Sequence, residues 1–370
     1  MELARLPVQR VALRLVEGID STLLIIILAL SMLGFAALFS ASYDAPGRVL
    51  SQLVSLGIAL VAMWITAQIP PQTLMRFAVP AYVVGLVLLV MVALFGDVVN
   101  GARRWLHVGV TRFQPSEMMK LALPLMLAWY FHRRESTLRL RDFALAALLL
   151  AVPLGLIVRQ PDLGTAALVG AAGFYVIFLA GLSWKVLGGL AGLFVVALFP
   201  LWGLLHDYQR RRVLTLLDPT QDPLGAGYHI IQSTIAVGSG GISGKGWLNG
   251  TQAHLEFIPE RHTDFIFAVY SEEFGLIGNL VLLVLYGLLI GRGLVIAANA
   301  ATLFARLLAG AVSLMFFTYA FVNMGMVSGI LPVVGVPLPF LSYGGTALLT
   351  LFIGAGILMT VQRHRTLVQR

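Results

Sequence analysis

The densest concentration of reactive side chains is the run His254-Leu-Glu256-Phe-Ile-Pro-Glu260-Arg261-His262-Thr263-Asp264, which leads into the apolar Phe-Ile-Phe. Asp264 stands where charge gives way to an apolar helix, and Glu272 and Glu273 follow two turns later. A carboxylate in that position has two readings. It can cap the helix. It can also have a raised pKa beside apolar surface and act as a general base. Arg261 opposes such a rise, so the pKa stays open at this point. No HExxH pattern is present, which disfavours metalloprotease chemistry. Cysteine is absent, so disulfides and thiolate metal sites are excluded.

Four further groups stand out. In Gly101-Ala-Arg103-Arg104-Trp through Arg112-Phe-Gln-Pro115-Ser-Glu117-Met-Met-Lys120, Pro115 suits the first turn of a helix. Glu117 and Lys120 then share one helix face, as a structural ion pair or as the polar lining of a substrate cavity. In Arg159-Gln-Pro-Asp162-Leu-Gly-Thr165, Asp162 is well placed as an N-cap, whereas Arg159 has no comparable local reason. The glycine run Gly238–Gly246 suggests a phosphate loop but fails the test, because Ser239 and Gly246 stand where G-x-x-x-x-G-K-[ST] needs Gly and Ser or Thr. A backbone that approaches a sugar or pyrophosphate closely remains open there. Finally, Gly329-Ile-Leu-Pro-Val-Val-Gly-Val-Pro-Leu-Pro-Phe-Leu-Ser-Tyr-Gly-Gly345 is non-helical by composition. It either breaks a long apolar window or forms a wall of the site.

These groups must be positioned by a membrane scaffold. The chain has 370 residues, 59% hydrophobic and only 11% charged, against roughly 25% charged for a soluble domain. Lipid must be its solvent. Charge-free windows predict spans over 21–43, 49–75, 77–96, 163–184, 186–206 and 274–291. The window 307–362 is long enough for two, broken at Leu331–Phe340. Adding 121–132 and 143–158 gives ten. The expected fold is all-α: a polytopic integral membrane protein of about ten helices, forming one domain over 21–370. A long extracytoplasmic loop, 206–264, joins helices seven and eight. Residues 1–20, with Arg5, Arg10 and Arg14 among leucines and valines, predict an amphipathic helix on the cytoplasmic surface rather than a cleaved signal.

The net charge of +8 is scattered through short loops, which makes it a topology signal and not a nucleic-acid footprint. Fourteen of the 25 Lys and Arg fall on one side if the N-terminus is cytoplasmic, and an even span count brings the C-terminus to the same side. Arg48, Arg103, Arg104, Arg112, Lys120 and Arg159 sit on the disfavoured side, as neutral passengers or, as a group, as the ligands of an anion.

The stretches GARRWLHVGVTRFQPSEMMK (101–120), RQPDLGTA (159–166), GYHIIQSTIAVGSGGISGKGWLNGTQ (227–252), FIPERHTDFIFAVYSEEFG (257–275) and GILPVVGVPLPFLSYGG (329–345) closely resemble the SEDS family (shape, elongation, division and sporulation). The short termini are more similar to its elongation branch than to its division branch. The resemblance implies ten spans in the bacterial cytoplasmic membrane and a peptidoglycan glycosyltransferase acting on lipid II at the outer leaflet. It implies a class B penicillin-binding protein as transpeptidase partner, besides lipid II and membrane lipids. It places the family's essential Asp at Asp264 and its Glu and Lys at Glu117 and Lys120. A carboxylate would take the proton of an attacking sugar hydroxyl. Cations would hold the departing pyrophosphate, with Arg48, Arg103, Arg104, Lys120, Arg159, Lys245 and Arg261 as candidates. The sequence requires no cofactor and no protein-bound metal, and leaves open a divalent ion bridging pyrophosphate and carboxylate. Two other functions compete. A lipid II flippase needs a polar path to the cytoplasmic face, whereas the polar motifs here gather outside. A scaffold for the penicillin-binding protein needs Asp264 to be dispensable.

Overall fold

A computed structural model describes residues 18–365, apart from 44, 46, 100–101, 109–110, 205–209, 211–213, 223–224, 256 and 259. The expected amphipathic segment over 1–20 lies almost wholly outside the described residues. Among the described residues there are ten helices of 17 residues or more. They are α1 (Ser21–Ala41), α2 (Gly47–Gln68), α3 (Pro71–Phe95), α4 (Pro115–His132), α5 (Leu140–Arg159), α6 (Leu163–Leu179), α7 (Trp184–Leu204), α8 (Ile266–Ala298), α9 (Leu303–Val327) and α10 (Gly345–Arg363). Seven of these, all but α4, α6 and α7, are long and apolar enough to cross a membrane. α4 falls short because Glu117 and Lys120 occupy its first turns.

Helix starts follow local chemistry. Asp20 caps α1 by accepting from Leu23 N at 2.8 Å, and Asp162 caps α6 by accepting from Thr165 N at 3.1 Å. Pro71 and Pro115 open α3 and α4, where a missing N–H costs nothing. α9 and α10 are the most buried of the apolar helices, while α2 turns Leu50, Val54, Ile58, Val61 and Ile65 outward. An apolar stripe facing away from the protein is what a lipid solvent permits.

One element departs from the all-α expectation. β1 (Asp97–Val99), β2 (Ala102–Val108) and β3 (Thr111–Phe113) form a small antiparallel sheet, with β2 central. Val98, Val99, Trp105 and Val108 are good strand formers, but the segment is too short to show a clear alternation.

Helix alternation creates two faces. Asp20 meets Arg292 in an ion pair, Thr360 Oγ1 donates to Ile69 O at 2.6 Å, and Arg363 donates to Gln68 Oε1 at 2.6 Å. These contacts define a terminal face. At the other end, Arg104 donates to Pro161 O at 2.7 Å, Gln114 to Asp162 Oδ2 at 3.0 Å, and Tyr343 N to His262 O at 2.9 Å. This is the far face, and it gathers the polar motifs.

Among its described residues, the loop over 206–264 is largely structured. A helix, Ala226–Ser239, leads into the glycine run, which docks onto α8 where Gly275 breaks the helix with φ +62°. The broken turn leaves backbone donors free, and the glycine run accepts them: Leu276 N donates to Gly241 O at 2.9 Å and Ile277 N to Ile242 O at 3.1 Å. A Cβ on Gly244, itself at φ +78°, would lie 2.0 Å from Glu273 O. Gly240 and Gly244 are therefore required by contact between two backbones of the same chain, Gly240 because its Cβ would lie 2.1 Å from Ser271 O.

Candidate active site

Asp264 sits in the turn that precedes α8, on the far face. It lines a cavity of about 260 Å³ with Arg104, Asp162, His229, Glu260 and the backbone around Gly335. Five segments distant in sequence supply these walls, so the cavity exists only in the folded chain.

The turn carrying Asp264 is tied from below. Asn323, fully buried on α9, donates through Nδ2 to Asp264 O at 2.8 Å and to Val336 O at 2.7 Å. Ser342 Oγ donates to Thr263 O at 2.7 Å. Gly335, at φ +71°, brings its backbone so close that a Cβ there would lie 3.3 Å from Asp264 Oδ2. Only glycine combines that φ with that approach.

The loop between α9 and α10 is one wall of the site. Its Val336, Leu338, Phe340 and Leu341 are buried. Non-helical backbone at this depth needs internal partners. Tyr286 OH donates to Pro339 O at 2.7 Å, Gln52 Nε2 to Ser342 O at 3.2 Å, and Leu338 N to Ser342 Oγ at 2.7 Å. α6 presses against the same loop, where a Cβ on Gly164 would meet Val334 O at 2.4 Å.

Electrostatics set the state of the carboxyl. Burial pushes Asp264 up to about 6, and the negative charges of Glu260 and Asp162 push the same way. Arg261, expected to oppose the rise, is spent elsewhere: its Nε donates to Ala41 O at 2.9 Å and its guanidinium lies 5.2 Å from the centre of the Tyr43 ring. Burial lowers the pKa of His229, which stacks on Phe265 at 5.6 Å. A carboxyl whose pKa is raised to about 6, a cation and an imidazole whose pKa burial lowers thus face one small cavity.

The other expected site residues divide. Arg104 shares the Asp264 cavity, with its Nε 3.9 Å from Asp162 Oδ2. Arg48 bonds to His262, two residues from Asp264. Arg103 is exposed on β2, and Arg159 is exposed at the end of α5. Lys245 does not line the cavity; it pairs with fully buried Glu272 at 2.7 Å and bonds Thr251 Oγ1 at 2.8 Å. Glu117 and Lys120 also stand apart, as a buried pair at 2.6 Å, with Lys120 5.1 Å from the centre of the Tyr319 ring. Glu117 is the charged residue lining a mainly apolar groove of about 430 Å³ between α2, α3, α4 and α10, which Thr66, Thr346 and Thr350 also line. Among the described residues, no cluster of three or more His, Asp or Glu has the geometry to hold a metal.

His229, Asn323 and Gly335 were not among the expected site residues. Asn323 was findable, as a polar side chain in the apolar run of α9. His229 and Gly335 carry no local signal that separates them from their neighbours.

The match to known proteins spans the whole site. The model of the FtsW, RodA and SpoVE cell cycle proteins covers residues 21–367. The chain belongs to this family. The resemblance to SEDS proteins read from the motifs is borne out. Among family members, the peptidoglycan glycosyltransferase MrdB of Escherichia coli K12 is 52% identical over 95% of this chain and 95% of its own. The peptidoglycan glycosyltransferase RodA of Treponema pallidum is 32% identical over 95% and 99%. Solved family structures agree. One from a peptidoglycan synthase complex superposes with a TM-score of 0.82 at 39% identity, covering 94% of this chain and 98% of that one. RodA of Thermus thermophilus superposes at 0.72 with 34% identity, covering 94% and 97%. Family membership and the apolar helices together make this a multi-pass membrane protein.

Proposed function

We propose that this peptidoglycan glycosyltransferase polymerises lipid II at the outer face of the bacterial cytoplasmic membrane, with Asp264 as general base. The observation that carries the proposal is the Asp264 carboxyl, raised to about 6 in a walled cavity that also holds a cation. The 4-OH of one N-acetylglucosamine gives its proton to Asp264 as its oxygen attacks the anomeric carbon of a lipid-linked N-acetylmuramic acid. The bond from that carbon to the pyrophosphate oxygen breaks, and undecaprenyl pyrophosphate departs. Negative charge builds on the leaving group, and a fixed cation there lowers the barrier. Arg104, in the same cavity, is best placed for this, with Arg48 and Arg103 on the same face.

The substrate's lipid tail needs an apolar channel. The groove that contains Glu117 offers one, between α2, α3, α4 and α10. Ten crossings, with both termini cytoplasmic, put the Asp264 cavity outside, where lipid II is presented. A class B penicillin-binding protein fits as the crosslinking partner, a reading supported by the relative solved within a peptidoglycan synthase complex.

The test is polymerisation in detergent, where no compartments exist. Purified chain and lipid II should yield glycan polymer on a gel. Absence of polymer, while lipid II still crosses liposome bilayers, would favour a transporter.

A further inference from the structure

Outside the active site, the least expected cavity lies on the terminal face. It has a volume of about 490 Å³ and is lined by Arg134, Thr137, Arg139, Arg141, Asp142 and Leu145, at the junction of α4 and α5. Three cations and one acid converge there. The acid is already committed: Asp142 accepts from Arg134, from Arg139 N at 2.8 Å and from Tyr130 OH at 3.3 Å. Arg134 is thereby fixed, with a second bond to Tyr130 OH at 2.8 Å. Arg139 and Arg141 meet no carboxylate among the described residues, although both line the same concavity. A neighbouring basic cavity on this face differs. There Asp20 neutralises Arg292, Arg363 bonds the neutral amide of Gln68, and the lining lacks a continuous outward-facing apolar stripe like that of Leu145, Leu148 and Val152.

The cavity at the α4–α5 junction also borders an exposed apolar surface. Leu145 belongs to its wall and begins an outward-facing stripe that continues through Leu148 and Val152 down α5. A ligand with a phosphate head and an acyl tail would satisfy both features. Arginine forks match phosphate oxygens, and cations beside a membrane surface favour anionic lipid.

We propose that this cavity binds the phosphate of an anionic phospholipid headgroup from the leaflet on the terminal face. Arg139 and Arg141 grip the phosphate oxygens. Arg134, held by Asp142, completes the wall of the cavity without adding net charge. The glycerol backbone and chain lie along Leu145 and Leu148. The proposal is independent of the chemistry at Asp264.

The test uses the full chain, purified in mixed micelles of phosphatidylglycerol and phosphatidylcholine, with retained lipid counted by native mass spectrometry. Wild type should retain phosphatidylglycerol in preference to phosphatidylcholine. Arg139→Gln with Arg141→Gln should weaken that retention about thirtyfold, on a scale of about fivefold for each basic residue near an anionic surface. Arg141→Gln alone should show part of the loss. A charge-matched control, Arg133→Gln with Arg306→Gln, removes two cations of this face that do not line the cavity and should retain lipid as wild type does. Millimolar inorganic phosphate separates the two sources of the oxyanion. Retention that withstands it supports a lipid headgroup, whereas full displacement overturns the lipid assignment in favour of soluble phosphate. Equal retention by the cavity variant and wild type, equal loss in the control, or no preference for phosphatidylglycerol would overturn the site.

Discussion

Asn323 holds Asp264 by its backbone, not by its carboxyl: one buried amide nitrogen donates to Asp264 O at 2.8 Å and to Val336 O at 2.7 Å. The contact clamps the turn before α8 to the loop after α9 and leaves the Asp264 side chain to the cavity. Asn323→Ala would take the donor from the buried Val336 carbonyl and from the part-buried Asp264 carbonyl. The cost is about 2–4 kcal/mol, from about 1–2 kcal/mol for each orphaned acceptor. Thermal unfolding in detergent should show a lower midpoint. Polymerisation should fall even at temperatures where the variant stays folded, because the base is no longer fixed.

The raised pKa of Asp264 sets the sign of two pH effects. A general base works ionised, so turnover should fall as pH drops through about 6. Stability runs the other way. The native state disfavours the charged form, so folding loses free energy as pH rises from the ordinary carboxylate range through about 6. Asp264→Asn removes that cost. The variant should be more stable than wild type at neutral pH by up to about 3 kcal/mol, with the gap closing near pH 4. Unfolding midpoints across pH check this.

Gly335→Ala tests the close wall of the cavity. Alanine at φ +71° is strained by about 1–2 kcal/mol, and its Cβ would crowd Asp264 Oδ2 at 3.3 Å. Activity should fall at least about tenfold with a modest drop in stability, since a small misplacement at a reacting centre costs more than the strain itself. Initial rates at saturating lipid II, set against the unfolding midpoint, separate the two effects.

Glu117 and Lys120 form a buried pair, and one half of such a pair is harder to lose than both. Glu117→Gln and Lys120→Met alone should each destabilise by about 3–5 kcal/mol. The double variant should regain most of that. If its polymerising activity also returns, the pair is structural. If stability returns and activity does not, one of the two groups serves the substrate.

Much of this was legible in the sequence, for identifiable reasons. A span such as α1 is a charge-free window bounded by ionised residues, and lipid tolerates little else, whereas α3 starts at Pro71 and carries Arg76 inside it, where the charge count had placed a boundary. Asp162 read as an N-cap because Thr165 follows at the spacing a capped first turn needs. Glu117 and Lys120 share a face by helical spacing alone. What stayed hidden is tertiary. The glycine run resembled a ligand loop, but its carbonyls satisfy the broken turn at Gly275, a partner only the fold brings near. Arg261 was expected to oppose a rise in the pKa of Asp264, yet it turns to Ala41 and Tyr43 on another helix end. Lys245 looked like a free cation until Glu272 met it across the same docking surface.

The most direct check is the rate of glycan formation by Asp264→Asn, which keeps the shape of the side chain and cannot take a proton. Measured with purified protein and lipid II at neutral pH, beside wild type of equal monodispersity, it should be lower by at least about a hundredfold. Polymerisation at the wild-type rate would mean that another group accepts the proton.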